Sequence, residues 1–233
     1  MRRAADAPEL LDGHLDDPQT LRDNLRDMGR ANRFTGGTAL SIRAIEALAP
    51  PNKPLSVLDV GTGGADIPLA LLADRRLRAR PVTVTAVDSR QEVLEAARAA
   101  RPGLDEVEGL RLEVADGQAL PYPDGAFDIA HTSLVLHHLE PADAVRFLRE
   151  LARVTEAGVV VNDLARHRFT VLGAWLLARA CSRNRYTHHD APLSARRSYT
   201  LDEAVGLLVA AGLRPVYSTE LLGHRWAIAA VRQ

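Results

Sequence analysis

From residue 55 onward, short runs of apolar and β-branched residues alternate with longer stretches of helical spacing: LSVLDV then 64–78, VTVTAVD then 90–101, LRLEVAD then a loop, FDIAHTSL then 141–154, and GVVVNDL. Strands apolar on both faces, separated by helices of about 10–15 residues, predict a parallel sheet covered on both sides, an α/β doubly wound architecture. Toward the C-terminus a helical stretch at 200–211 stops at Gly212. LRPVYSTELL and RWAIAAVRQ then read as two strands joined around Gly223 and His224. So short a connection makes that pair antiparallel. The expectation is a seven-stranded, mostly parallel sheet with an antiparallel last strand.

Upstream lies a polar stretch of helical spacing at 19–48, broken by FTGG at 34–37, which reads as an N-terminal helical cap within 1–50. The prolines of APPNKP (49–54) disfavour helix and sheet alike, and the main domain, 51–233, is expected to start there. Between the fifth strand and the 200–211 helix, an insertion at 164–199 is expected to wall a substrate pocket together with the cap. Its first half, FTVLGAWLLARAC (169–181), is strongly apolar around Trp175 and is expected in the core, with a lipophilic lining or a membrane-surface contact as the alternative. Its second half, RNRYTHHDAPLSARRSY (183–199), reads as a long polar loop.

Composition narrows the function classes. A 233-residue chain, 46% hydrophobic and with a formal net charge of -1, offers no electrostatic reason to bind a nucleic-acid backbone or an anionic membrane. A small ligand is expected. Cys181 is the only cysteine, which excludes an internal disulfide and a multi-cysteine metal site. The start, MRRAADAPELLDG, lacks the apolar centre of a secretory signal, and no apolar run approaches the roughly 20 residues that span a bilayer. The expected location is cytoplasmic, with no stable membrane insertion and with a homodimer left open.

The chemistry begins at VLDVGTGGADIPLA, where a strand feeds a glycine turn into a helix N-terminus. Gly61 and Gly63 let bare backbone N–H groups approach a ligand outside the carboxyl ends of the strands. A dinucleotide fingerprint wants glycine at the sixth position of such a turn, and Asp66 stands there, which weakens a nicotinamide reading. Asp59, just ahead of the turn, is a poor neighbour for a diphosphate and a good one for a cation. Asp88 ends the second strand where a carboxylate accepts ribose hydroxyls, and Asp116 ends the third, beside Gly117 and Gln118, where it can meet an exocyclic adenine amine.

VLDVGTGGADIPLAL, VTAVDSRQEVLEAARA, VADGQALPYPDGAFDIAHTSLVLHHL and GVVVNDL, in that order, resemble motifs one to four of the class I S-adenosylmethionine-dependent methyltransferases. The resemblance covers about 55–163, and the last helix and two strands are similar to the end of that fold. It implies a Rossmann-like fold, S-adenosyl-L-methionine as cofactor and methyl transfer as activity. Residue by residue, it implies that Gly61, Thr62 and Gly63 line the methionine portion and that Asp59 lies near the sulfonium. Asp88 with Ser89 would hold the ribose, and Asp116 with Gly117 the adenine. Thr132 and Ser133 would sit near the methyl group, and Arg33, in GRANRFTGG, would meet the cofactor carboxylate. One departure is Ala65, where the family's turn has a third glycine.

On the acceptor side, His137 and His138 follow the fourth strand, where an imidazole could act as base or cap the next helix. His189, beside Asp190, could be a base with its orienter or a solvated loop residue. Adjacent histidines point apart in regular structure and have no cysteine partners, so no metal is expected. LRDNLRDMGRANRFTGGTALSIRAI, VVVNDLARHRFTVLGAWL and RNRYTHHDAPLSARRSYTLDEA are similar to methyltransferases encoded beside type III polyketide synthases, taken to O-methylate phenolic or quinone products. That similarity implies a small hydrophobic aromatic substrate and O-methylation. C-methylation of a quinone precursor, an NAD-dependent oxidoreductase and a non-catalytic cofactor-binding protein are the alternatives.

Overall fold

The computed structural model describes residues 1–5, 7–13, 17–51, 53–77 and 80–233. Residue 78 of the expected 64–78 helix, residue 52 of the proline linker, and residues 6 and 14–16 of the expected cap lie outside them.

Seven strands form one sheet: β1 (Leu55–Val60), β2 (Val82–Asp88), β3 (Leu110–Val114), β4 (Phe127–Ser133), β5 (Thr155–Leu164), β6 (Leu213–Leu221) and β7 (Arg225–Arg232). Their order is β3-β2-β1-β4-β5-β7-β6. All neighbours are parallel except β7, which runs antiparallel to both β5 and β6. The expected doubly wound sheet with an antiparallel last strand is what forms. The order reverses between β1 and β4, and in such sheets the crevice at that switch point receives the ligand.

Successive side chains alternate between the faces of a strand. Leu58, Val60, Ala130, Val159 and Val161 meet Ala144, Phe147, Leu148 and Leu151 of α5 (Pro141–Arg153) and Leu208 of α8 (Leu201–Ala210). Val57, Val84, Ala86, Ile129 and Val160 pack on the other face, against α3 (Asp66–Ala73), α4 (Gln91–Ala100) and α2 (Gly37–Leu48). Burial on both faces is why the central strands read as unbroken apolar runs.

The helices before β1 depart from the expected cap. Gly36, at φ 79°, ends α1 (Pro18–Phe34) and starts α2. Leu40, Ala44 and Ile45 of α2 are buried in the same core as β1, so the proline stretch connects two parts of one core. Only α1 stands outside that layer, with Leu21 and Leu25 against Val93 and Ala96 of α4.

The insertion is corrected in both halves. Residues 183–199 are mostly helix: α7 (Arg185–Arg197) starts where the Asn184 side chain accepts from the N–H groups of Tyr186 and Thr187. Pro192 lies inside α7, and burial of Tyr186, Asp190, Ala195 and Arg197 outweighs the hydrogen bond it removes. Residues 169–181 do not enter the core. In α6 (Arg168–Cys181) only Thr170 and Ala178 are buried, while Phe169 is 78% and Trp175 42% exposed. An apolar face marks what a helix could bury, not what its neighbours cover. No helix among the described residues is long and apolar enough to cross a membrane.

Candidate active site

The turn after β1 holds Gly61, Gly63 and Ala65 at φ 76°, 53° and 56°. Three left-handed residues within five bend the chain back over β2, where the N–H groups of Gly61 and Thr62 both donate to the Val87 carbonyl at 2.9 and 3.0 Å. A Cβ at Gly61 would stand 2.3 Å from Val135 Cγ2. Ala65 takes the third left-handed position despite its side chain, a conformation that costs an L-residue roughly 1–2 kcal/mol.

The crevice behind this turn is lined by Asp59, Gly61, Thr62, Gly63, Asp66 and Ser133, together with Met28 and Asn32 of α1. Asp59 and His131 are register partners on β1 and β4, with His131 Nδ1 2.6 Å from Asp59 Oδ1. His131 Nε2 lies 2.7 Å from Ser41 Oγ, which also accepts from Asn162 Nδ2 at 2.7 Å. Asn162 Oδ1 accepts in turn from Arg225 Nε at 2.7 Å. The Arg225 guanidinium continues to Asn32 Oδ1 at 2.8 Å and to Ser133 Oγ at 2.9 Å, and Asn32 Nδ2 donates to Asp66 Oδ2 at 3.0 Å. One buried polar chain thus leaves the crevice at Asp59, passes under α2 and returns to it at Asp66 and Ser133.

Arg225 is only 1% exposed, and burial pushes its guanidinium down to about 10, opposed by the charges of Asp163 and Asp66. Gly37 makes room for it, since a Cβ there would be 2.3 Å from Arg225 Cζ. Burial, and after it the charge of Asp59, raises the Asp66 carboxyl above its ordinary value. The Asn32 hydrogen bond and Arg101 act against that rise. Asp88 is also raised by burial, while its Oδ2 accepts from Gly63 N–H at 3.1 Å and its Oδ1 from Arg90 N–H at 3.2 Å.

Several expected site residues do not line this crevice. Arg33 is exposed, and Asn32, about 100° round the helix, faces the crevice instead. Thr132 is fully buried with its hydroxyl donating to the Val60 carbonyl at 2.9 Å, which ties β4 to β1 and leaves Ser133 as the crevice residue. Asp116 and Ser89 are exposed, and Asp116 Oδ1 accepts from Gln118 N–H at 2.9 Å. Gly117 permits a close packing, since a Cβ there would meet Phe147 Cε2 at 2.6 Å.

None of the three histidines expected as a base lines the crevice. His137 is buried, with Nδ1 2.8 Å from Asp163 Oδ1. His138 Nδ1 is 2.8 Å from Asp12 Oδ1, and His189 Nδ1 is 2.7 Å from Asp190 Oδ1 on the exposed side of α7. The sequence reading did not reach His131 or Arg225, and Asp66 entered it only as the residue that breaks a dinucleotide turn. A histidine inside FDIAHTSL and an arginine heading the apolar run RWAIAAV were signals: polar residues at positions whose neighbours are buried need a buried partner.

Comparison with known proteins agrees with this architecture. Residues 58–161 match the model of the methyltransferase domain family. The chain is 32% identical, over 45% of its length and 41% of the relative's, to the ubiquinone/menaquinone biosynthesis C-methyltransferase UbiE of Rickettsia akari. It is 30% identical to the ajmaline N-methyltransferase of Rauvolfia serpentina, over 50% of this chain and 38% of that one. The chain therefore spans about two fifths of the length of these relatives. Among solved structures, a SAM-dependent methyltransferase from Aquifex aeolicus superposes with a TM-score of 0.63 at 19% identity, covering 93% of this chain and 98% of that one. Residues 58–161 thus resemble a methyltransferase domain, and the chain has the fold of the S-adenosylmethionine-dependent methyltransferases, which points to S-adenosylmethionine as cofactor.

The crevice suits that cofactor on its own terms. Thr62 Oγ1 is buried without a hydrogen-bond partner, Gly61 and Gly63 line the crevice without side chains, and Asp59 and Asp66 put two carboxylates where a sulfonium would bring positive charge.

Proposed function

We propose that the protein transfers a methyl group from S-adenosylmethionine to a hydroxyl of a small hydrophobic aromatic molecule. When bound, the cofactor supplies a methyl carbon activated by the sulfonium and open to in-line displacement. The observation that carries the proposal is the pairing of a left-handed glycine turn with Asp59 and Asp66 in one crevice. It favours a cationic nucleoside over a diphosphate. Gly61, Thr62, Gly63 and Ser133 would hold the amino-acid end, Asp59 would face the cation, and Asp88 would take the ribose, with Asp116 and Gly117 toward the base. No nucleic acid is needed as a partner.

Alignment of donor and acceptor supplies most of the rate, an effect that reaches about 7–11 kcal/mol. A general base would add only about 10²- to 10⁴-fold, and His131, buried behind Asp59, is committed to Asp59 and Ser41. His137, His138 and His189 do not line the crevice, so the hydroxyl proton would pass to solvent as S-adenosylhomocysteine leaves. C-methylation is the second reading, favoured by the identity to the protein named as a ubiquinone/menaquinone C-methyltransferase.

Incubation with S-[methyl-13C]adenosylmethionine and a panel of phenols, resorcinols and quinols tests this. An enriched O–CH3 resonance supports the first reading and an enriched C–CH3 resonance the second. Cofactor binding without transfer to any acceptor would count against both.

A further inference from the structure

The 3-10 turn Leu136–His138 that follows β4 stacks the imidazoles of His137 and His138, with ring centroids 4.2 Å apart and planes inclined by 34°. Adjacent histidines here do not point apart, because the turn is neither helix nor strand of any length. The N-terminal segment crosses over them and inserts Glu9, whose Oε1 is 3.6 Å from His137 Nε2 and whose Oε2 is 3.9 Å from His138 Nε2. One ligand atom from each of the three residues can be chosen so that all lie within 4.8 Å of one another. Ligands on a tetrahedral zinc with bonds of 2.0–2.1 Å stand about 3.4 Å apart, so small side-chain shifts close this set on an ion.

The hydrogen bonding shows what is missing. His137 Nδ1 faces Asp163 at 2.8 Å, and that carboxylate holds the ring proton on Nδ1 and leaves Nε2 a bare lone pair; His138 Nδ1 lies 2.8 Å from Asp12 Oδ1, without hydrogen-bond alignment. Ser194 Oγ donates to Glu9 Oε2 at 2.8 Å, whereas Glu9 Oε1 and His137 Nε2 are buried without any partner. Their side chains are only 3% and 2% exposed. With Glu9 ionised, its Oε1 and His137 Nε2 converge as two acceptors with no donor between them, and burial raises the Glu9 carboxyl to about 7. Charge points the same way. Glu9, Asp12 and Asp163 surround the cluster, and Arg197 is the guanidinium beside it, 2.8 Å from Asp12 and 3.7 Å from Glu9 Oε1.

We propose that Glu9, His137 and His138 form a site for a divalent transition ion of the zinc class, which clamps the N-terminal segment onto the end of β4. Two imidazoles and one carboxylate select such an ion over magnesium or calcium, which prefer all-oxygen sets. His138, 25% exposed at its side chain, leaves the fourth coordination position toward solvent. The site is separate from the crevice and stands whether or not methyl transfer is the reaction.

The test uses the untagged full chain, stripped with chelator and titrated with zinc chloride by calorimetry. One equivalent per chain is expected, with visible d–d bands of a tetrahedral site when cobalt chloride replaces zinc. At a hundredfold excess over Kd, Tm should rise by about 5–10 °C. Glu9→Gln and His138→Asn should each weaken zinc at least tenfold, with circular dichroism reporting that each is folded. Should a variant not fold, hydrogen exchange on the wild-type chain decides: zinc must slow exchange across 7–13. Substoichiometric binding, unchanged affinity in folded variants, or no protection of that segment would overturn the proposal.

Discussion

Asp59 and His131 face each other across the central β1–β4 pair, 2.6 Å apart, with the imidazole pinned from behind by Ser41 of α2. An acid lining the crevice is thus held by its neighbour in the sheet, which is itself held by the helical layer packed on that sheet. Breaking a buried pair leaves one polar partner uncompensated, at roughly 3–5 kcal/mol. His131→Ala should lose about that much in urea unfolding, and Ser41→Ala about 1–3 kcal/mol. A wild-type urea midpoint for His131→Ala would show that the contact contributes nothing.

Gly61→Ala should destabilise the protein by about 2–5 kcal/mol, summing a left-handed backbone and an overpacked contact with Val135. Ala65→Gly is the counterpart. It gains roughly 1–2 kcal/mol of relieved backbone and loses comparable amounts through chain entropy and one buried methyl, so its Tm should stay close to wild type. Equal losses in the two variants would refute this account of the turn.

Asn32 faces the crevice and Arg33 does not. Asn32→Ala should weaken S-adenosylmethionine by roughly 1–3 kcal/mol, because Asp66 and Arg225 each lose a buried partner. Arg33→Ala should change affinity by less than about 0.5 kcal/mol. Calorimetric titration of both variants separates them, and the reverse ranking would restore Arg33 as a contact to the cofactor carboxylate.

Asp88→Ala should reduce cofactor affinity by roughly 1.5–3 kcal/mol, the range for hydrogen bonds to charged groups. The Gly63 N–H also loses its acceptor in this variant. Undiminished affinity would remove Asp88 from the site.

Burial holds Asp66 and Asp88 above the ordinary aspartate value of 3.8. Their protonated forms favour the unliganded fold, a contribution present below 3.8 and lost as pH rises through the raised folded values. A bound cation prefers the ionised forms, so its affinity should be full above those values and fall as pH drops through them. S-adenosylmethionine should therefore weaken on acidification more steeply than S-adenosylhomocysteine, whose sulfur is uncharged. Parallel pH profiles for the two ligands would remove the carboxylates from sulfonium recognition.

The sequence alone determined the sheet, the glycine turn and the acids at the strand ends, because these rest on local patterns: doubly apolar strands, helical spacing, and glycines where φ must be positive. Only the tertiary structure decided which polar groups share a space. His131 meets Asp59 because strand register pairs them, and Arg225 reaches Asn32 because β7 inserts beside β5 under α2. Glu9 meets His137 because the N-terminal segment folds back across the end of β4. Helix formation in α7 and exposure of α6 were likewise settled by what packs against each, since periodicity describes a face and contact chooses its partner.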